Sequence, residues 1–152
     1  GAMVITTLDA QLRPMIRYAL GDVVRFNAPS CRCGRPGRVM SYEGRIRHLF
    51  RGKKGALVTY VDVDQAIGTP QGLAYFHLNV GASSAMLTLV PAGDRSLVDG
   101  AALRDRVEEL IARPVKIRWK SHLELVTSGG KLLSLATKPD ESAALYKKFL
   151  GQ

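Results

Sequence analysis

Three polar residues that follow glycine, far apart along the chain, have chemistry to offer: Asp22 after Gly21, Arg45 after Gly44, and Lys131 after Gly129-Gly130. Arg13 to Tyr18 alternates polar and apolar residues and then meets Ala19-Leu20-Gly21-Asp22, a pattern that predicts a strand delivering an aspartate onto a tight turn. An acid placed there is suited to accept hydrogen bonds from sugar hydroxyls. Gly129 and Gly130 let a ligand approach the backbone closely, and the long Lys131 side chain brings a mobile ammonium to it. Thr127 to Lys131 is not a phosphate-cradling P-loop, because Leu125 stands where that motif needs a glycine and Leu132 where it needs Ser or Thr.

The elements that must position these residues are those of an α+β chain. Val23 to Phe26 resumes a β-prone pattern after the Gly21-Asp22 turn, and Arg38 to Tyr42 reads as a further strand. Between them, Asn27 to Gly37 is a loop rich in Pro, Gly, Ser and Cys. His48 to Phe50 and Ala56 to Tyr60 are expected to form a hairpin around Gly52 to Gly55, followed by a short helix with Asp62 as its N-cap, running to Ile67. Leu73 to Val80 and Ala85 to Val90 read as a second hairpin. The clearest helix spans about Gly100 to Ala112, with Leu103, Val107, Leu110 and Ile111 on one face and charges on the other. Pro114 ends it, and Val115 to Lys120 alternates as a strand. This order predicts a short N-terminal β lobe followed by a ferredoxin-like split βαβ sheet. His122 to Val126 then leads to the Gly129-Gly130 loop, and Pro139 opens a C-terminal helix. The expected organisation is a tag remnant and leader over 1–12, with Gly1-Ala2-Met3 set aside as a cloning remnant, a β-rich linker over 13–46, and a compact lobe over 47–152.

Composition narrows the function classes. With 46% hydrophobic and 23% charged residues in 152, the chain reads as an ordinary soluble globular protein. No apolar run approaches the ~18 residues of a membrane span and no secretory leader is seen, so a cytoplasmic protein without a membrane partner is expected. Cys31 and Cys33 are too close for an easy disulfide and too few for a complete zinc site, so a reduced pair in a turn is expected and no metal site is assigned, with half of a site completed by His48 or by residues outside this chain as the alternative. The net charge of +9, from 22 Lys and Arg against 13 Asp and Glu, raises the question of polyanionic partners. Much of the excess lies in Arg45 to Lys54 and Arg113 to Lys120, where cations interleave with apolar residues as on strands with one solvated face. A basic ferredoxin-like nucleic-acid-binding or regulatory interaction module is therefore an alternative. RNA-binding sheets of that type present several aromatics on one face, whereas Tyr75 and Phe76 are adjacent and point to opposite faces, which makes nucleic acid unlikely as a partner.

The motifs also carry a family resemblance. Arg17 to Asp22, Cys31-Arg32-Cys33-Gly34-Arg35 and Gly44-Arg45-Ile46-Arg47-His48 resemble the succession RYxTGD, CxCGR and GRxDD of the phenylacetate-coenzyme A ligase-like branch of adenylate-forming enzymes, the AMP-binding superfamily. Ser128 to Leu132 is similar to the loop that carries that family's catalytic lysine, and the likeness runs in order from about Arg13 to Leu135. The resemblance implies the C-terminal lobe of an acyl-adenylating ligase, which activates a carboxylic acid to an acyl-AMP and then transfers it to an acceptor, coenzyme A foremost. It implies Lys131 as the catalytic residue, with Asp22, Arg45 and Gly130 at the nucleotide. ATP or AMP with Mg are the implied cofactors, and coenzyme A is a candidate. The implied partners are a carboxylic acid and a missing N-terminal adenylation domain, without which the chain is expected to be inactive. Two departures stand out. Arg47-His48 replaces the hinge acid of GRxDD, and Ala19-Leu20 replaces the threonine before Gly-Asp.

Overall fold

The computed structural model describes residues 1–9, 12–26, 33–35, 37–120, 127–128, 131–132, 135–137, 144 and 147–148. The class is α+β, with two α-helices and several small sheets. At the N-terminal end, β1 (Ala2–Ile5), β2 (Tyr18–Phe26) and β3 (Met40–Arg45) form an antiparallel sheet in the order β1-β2-β3. The first residues, set aside from the fold on their sequence, supply its edge: the Gly1 ammonium donates to the Val24 carbonyl at 2.7 Å, and the Val24 amide donates back to the Gly1 carbonyl at 2.9 Å.

The expected strand-turn-strand around Gly21-Asp22 is instead one nine-residue strand that begins only at Tyr18. The stretch before it is held differently. The Thr7 hydroxyl accepts from the Met15 amide, and Arg17 adopts a left-handed φ of 49° that no β-ladder tolerates.

A short 3-10 turn, Ile46–His48, leads to a two-stranded ribbon, β4 (Phe50–Arg51) with β5 (Leu57–Val58), which matches the expected hairpin. Helix α1 (Tyr60–Ile67) follows. Its N-cap is Thr59, not Asp62: the Thr59 hydroxyl accepts from the Asp62 amide, and the Asp62 carboxylate accepts from the Thr59 amide at 2.7 Å. Asp62 therefore sits at the third helical position of a reciprocal capping box, an arrangement that contributes about 1 kcal/mol.

The larger sheet holds β6 (Leu73–Val80), β7 (Ala85–Pro91), β8 (Val115–Trp119) and β11 (Leu135–Thr137), ordered β11-β6-β7-β8. Strands β6 and β7 are antiparallel, while β8 runs parallel to β7 and β11 parallel to β6. Helix α2 (Gly100–Ile111) makes the crossover from β7 to β8. The strand-helix-strand-strand-helix-strand order thus holds along the chain. In space, the first strand of that order, β5, stays with β4, and the edge beside β6 is taken by the late strand β11. Between them in sequence, β9 (Thr127–Ser128) and β10 (Lys131–Leu132) pair as a small ribbon. The C-terminal segment opened by Pro139 falls largely outside the described residues.

The main core lies between one sheet face and the two helices. Phe50, Val63, Ile67, Leu78, Leu87, Leu89, Leu103, Val107 and Leu135 are all buried there. Helix α2 turns Leu103, Val107 and Ile111 inward, as its periodicity requires, and Asp99 caps it by accepting from the Ala102 amide at 2.9 Å. A second buried cluster of Val23, Ile46 and Leu49, with Ala2 and Leu57 against it, ties the N-terminal sheet to the turn that leads into the larger unit. No helix among the described residues is long and apolar enough to cross a membrane.

Candidate functional site

The N-terminal sheet is irregular where Asp22 sits. Ala2 pairs with Val23 but Val4 with Ala19, so β2 spends two more residues than β1 over the same span, and the surplus falls at Leu20, Gly21 and Asp22. Gly21 absorbs the distortion with a φ of 75°, a region closed to most side chains. On the other flank, Asp22 stands directly opposite Arg45 on β3. The turn chemistry read from Gly21-Asp22 is thus realised as a bulge inside a continuous strand. It still turns the aspartate out of the regular pleat.

The pair is held at short range. Arg45 Nε lies 3.0 Å from Asp22 Oδ1, and Arg45 Nη1 donates to the Leu20 carbonyl at 3.2 Å. Asp22 is mostly buried, at 16% side-chain exposure, while Arg45 is 44% exposed. Asp22 Oδ1 is close enough to Nε for an ion pair, yet no aligned donor reaches it. Oδ1 is itself buried, so its charge is compensated while it accepts no aligned hydrogen bond, and a ligand could meet only the small exposed part of the side chain. A partly exposed pair of this kind adds on the order of 1 kcal/mol or less to stability, so its geometry points to positioning and not to holding the fold.

Gly44 positions Arg45. Its φ is 113°, and a Cβ added there would lie 3.1 Å from the Tyr60 Cβ, so the strand end is pressed against the start of α1. Past Arg45 the 3-10 turn brings Arg47 and His48 close together. Burial first, then the Arg47 and Arg45 charges, push the His48 pKa down from 6.5 to about 4. His48 is therefore neutral at pH 7 and takes up a proton in the folded protein only near pH 4. The unfolded chain binds that proton at about pH 6.5, so stability is full above this value and falls as the pH drops toward 4. Thermal unfolding followed between pH 7 and pH 4 is expected to show this loss, with His48→Gln flattening it. An equal slope in the variant would assign the loss to other groups.

Of the residues singled out in the sequence, the fold brings Asp22 and Arg45 together on facing strands. Lys131 opens β10 on a separate ribbon, where it pairs with Ser128, and Gly130 lies outside the described residues. Cys33 is exposed and Cys31 lies outside the described residues. No group of three or more His, Cys, Asp or Glu converges as a metal-ligand set among the described residues. The contact of Gly44 with Tyr60 was not visible in the sequence, since it depends on α1 docking against the end of β3, and neither was the burial of His48, which depends on the packing around the turn.

No protein-family model matches the sequence, and no curated protein matches it. The fold does have relatives among solved structures, each matched over part of its own length. A 2-hydroxyisobutyryl-CoA ligase in the postadenylation state, in complex with 2-HIB-AMP, superimposes on 100% of this chain and 35% of its own, with a TM-score of 0.68 at 19% identity. An open conformation of a 2-hydroxyisobutyryl-CoA ligase, in complex with 2-HIB-AMP and CoA, matches 88% of this chain and 32% of its own, with a TM-score of 0.52 at 18% identity. The A domain of a carboxylic acid reductase from Segniliparus rugosus, in complex with AMP and a co-purified carboxylic acid, matches 88% of this chain and 23% of its own, with a TM-score of 0.51 at 17% identity. The chain spans about a third or less of these proteins. At such identities the likeness is one of fold.

Proposed function

We propose that this chain is the C-terminal lobe of an acyl-adenylating ligase of the phenylacetate-coenzyme A ligase-like branch, working with an adenylation domain that lies outside these residues. The observation that carries the reading is the Asp22-Arg45 pair. A mostly buried carboxylate stands on a strand bulge opposite a half-exposed guanidinium, beside the buried cluster that joins the N-terminal sheet to the following turn.

In this reading Asp22 accepts hydrogen bonds from the two ribose hydroxyls of the nucleotide, and Arg45 contacts the ribose or a phosphate. The residues fit the group: a carboxylate, which accepts hydrogen bonds, stands beside a guanidinium that compensates its charge. ATP, with Mg, supplies the α-phosphorus that the substrate carboxylate attacks, with pyrophosphate as the leaving group. This chain's own contribution is positional and electrostatic. Asp22 orients the sugar, Gly130 admits the ligand to the loop, and Lys131 brings its ammonium to the oxygens where negative charge crowds. Arg47, exposed on the 3-10 turn, stands where the family's hinge acid would be, and the lobe's rotation then uses a cation. Coenzyme A is the acceptor that the resemblance favours, in a cytoplasmic enzyme.

The outer face of the N-terminal sheet is consistent with a missing domain. Phe26 and Met40 are paired across strands, and together with Tyr42 they are about half exposed. Three half-exposed large apolar side chains on one small sheet, with Arg38 over the Phe26 ring at 4.5 Å, suit a surface for another domain to cover.

The purified chain is expected to show no acid-dependent exchange of pyrophosphate into ATP. Exchange should appear when the adenylation domain is supplied on the same polypeptide. Exchange by the chain alone, with any carboxylic acid, would overturn the assignment of a dependent lobe.

A further inference from the structure

A cavity of about 500 Å³ opens between the end of β7 and the end of β8, and neither Asp22 nor Arg45 is in its described lining. It is lined by Pro91, Ala92, Gly93, Arg95, Trp119 and Lys120. Its volume is that of a small-molecule site. Its described lining holds two cations and no carboxylate.

The cations are not loosely placed. The Arg95 guanidinium carbon lies 4.2 Å from the centre of the Trp119 ring, a cation–π distance that holds the guanidinium over the indole. The indole is fixed in turn by Gly100. A Cβ at that position would come within 2.6 Å of Trp119 Cζ2, so only glycine at the start of α2 admits the ring. The acid nearest in sequence is turned away: Asp94 accepts from the Ser96 amide at 2.8 Å and closes its own turn. Among the described residues no carboxylate forms an ion pair with Arg95. The backbone of Lys120 is also anchored, its amide donating to the Leu89 carbonyl at 3.1 Å.

Lys120 also lines a second cavity, of about 160 Å³, on the sheet face opposite the main core. There Tyr75, His77, Asn79 and Thr88 supply hydroxyl, imidazole and amide groups, and Arg118 supplies another cation. The two cavities meet at Lys120. A planar fork next to an ammonium matches a tetrahedral dianion better than a single carboxylate, and the polar face beyond it suits a hydroxylated organic group.

The geometry points to a phosphate-monoester site in this cavity, with the phosphate on Arg95 and Lys120 and the organic part of the ligand extending toward Tyr75 and His77. The site does not include Asp22 and does not rest on the adenylation reading. It can be tested on the chain by itself.

Trp119 is the only tryptophan in the sequence, so its emission reports directly on the guanidinium stacked over it. Titration of the 152-residue chain with ribose 5-phosphate at constant ionic strength is expected to give a saturable emission change, and ribose none. Calorimetric titration of Arg95→Ala, which removes an exposed side chain, is expected to show binding at least about tenfold weaker. Lys120→Ala keeps the stack on Trp119 and is expected to weaken binding as well, with Lys116→Ala unchanged as the exposed-cation control. A response that sodium chloride reproduces, or equal affinity in the wild type and Arg95→Ala, overturns the site. Tighter binding of inorganic phosphate than of ribose 5-phosphate overturns the ester and assigns the cavity to the free ion.

Discussion

Lys131→Ala, made in the ligase proposed to carry this lobe, is expected to lower the rate of acid-dependent pyrophosphate exchange by about 10²–10³-fold, the loss typical when one preorganised group is removed from a developing negative charge. In the attack of a carboxylate on the α-phosphorus, the incoming acid and the phosphate oxygens are all anionic, so the barrier is dominated by repulsion that a fixed cation relieves. The proposed cation sits on a ribbon where Ser128 pairs with Lys131, so only two residues connect the paired positions. Both are glycines, a residue type that lets a ligand approach the backbone closely. The effect should be confined to one half-reaction. Starting from a preformed acyl adenylate, transfer to coenzyme A needs no cation on the α-phosphorus in this role, so the variant is expected to retain most of that rate. An equal loss in both half-reactions would make Lys131 a structural residue, and unchanged exchange would remove it from the site.

The second large effect is on stability. Phe50→Ala is expected to destabilise the chain by about 3–5 kcal/mol, out of the roughly 5–15 kcal/mol by which domains are stable, and to shift the urea midpoint accordingly. Phe50 is fully buried in the main core although it stands on the two-residue strand β4, and its ring lies 5.8 Å from the Arg113 guanidinium. Truncation removes the ring's buried area, leaves a cavity beneath the helices and exposes Arg113 to an empty space where the ring's face had been. Relaxation to fill the cavity is restricted, because the ribbon is tightly placed. At Gly52, next to Arg51, an added Cβ would lie 2.6 Å from the Leu110 carbonyl oxygen, so β4 has little room to move toward α2. A loss below about 1 kcal/mol would show that the ribbon adjusts freely and that Phe50 is not a keystone of the core.

Where local physics decided the outcome, the sequence read it well. The 3.6-residue spacing of Leu103, Val107 and Ile111 was enough to define α2 and its buried face, because amphipathic periodicity is a local property that packing reinforces. The bounds of β6 were also legible, and those of β7 to within one residue at its end. Asp62 was misplaced by three positions, since an aspartate suits both the N-cap and the third helical position, and only the reciprocal bond with Thr59 chooses between them. The turn expected at Gly21-Asp22 became a bulge because strands on both sides pair with β2, and ladder hydrogen bonds over nine residues outweigh one glycine's preference for a turn.

The residue types alone determined the candidate set: an acid, an arginine and a lysine, each behind a glycine, in an order similar to that of one ligase family. They could not determine which of the three meet. Asp22 and Arg45 face each other because the register of β2 on β3 places them opposite, and their charges then settle the contact. Register is a property of the assembled sheet, set by where hydrophobic side chains such as Val23 must point. The tertiary structure alone also produced the Arg95-Trp119 cavity, because its walls come from the ends of two parallel strands brought side by side by a twelve-residue helix. Spacing along a chain encodes which local element forms, whereas proximity between distant elements is decided by packing, and packing is what makes these sites.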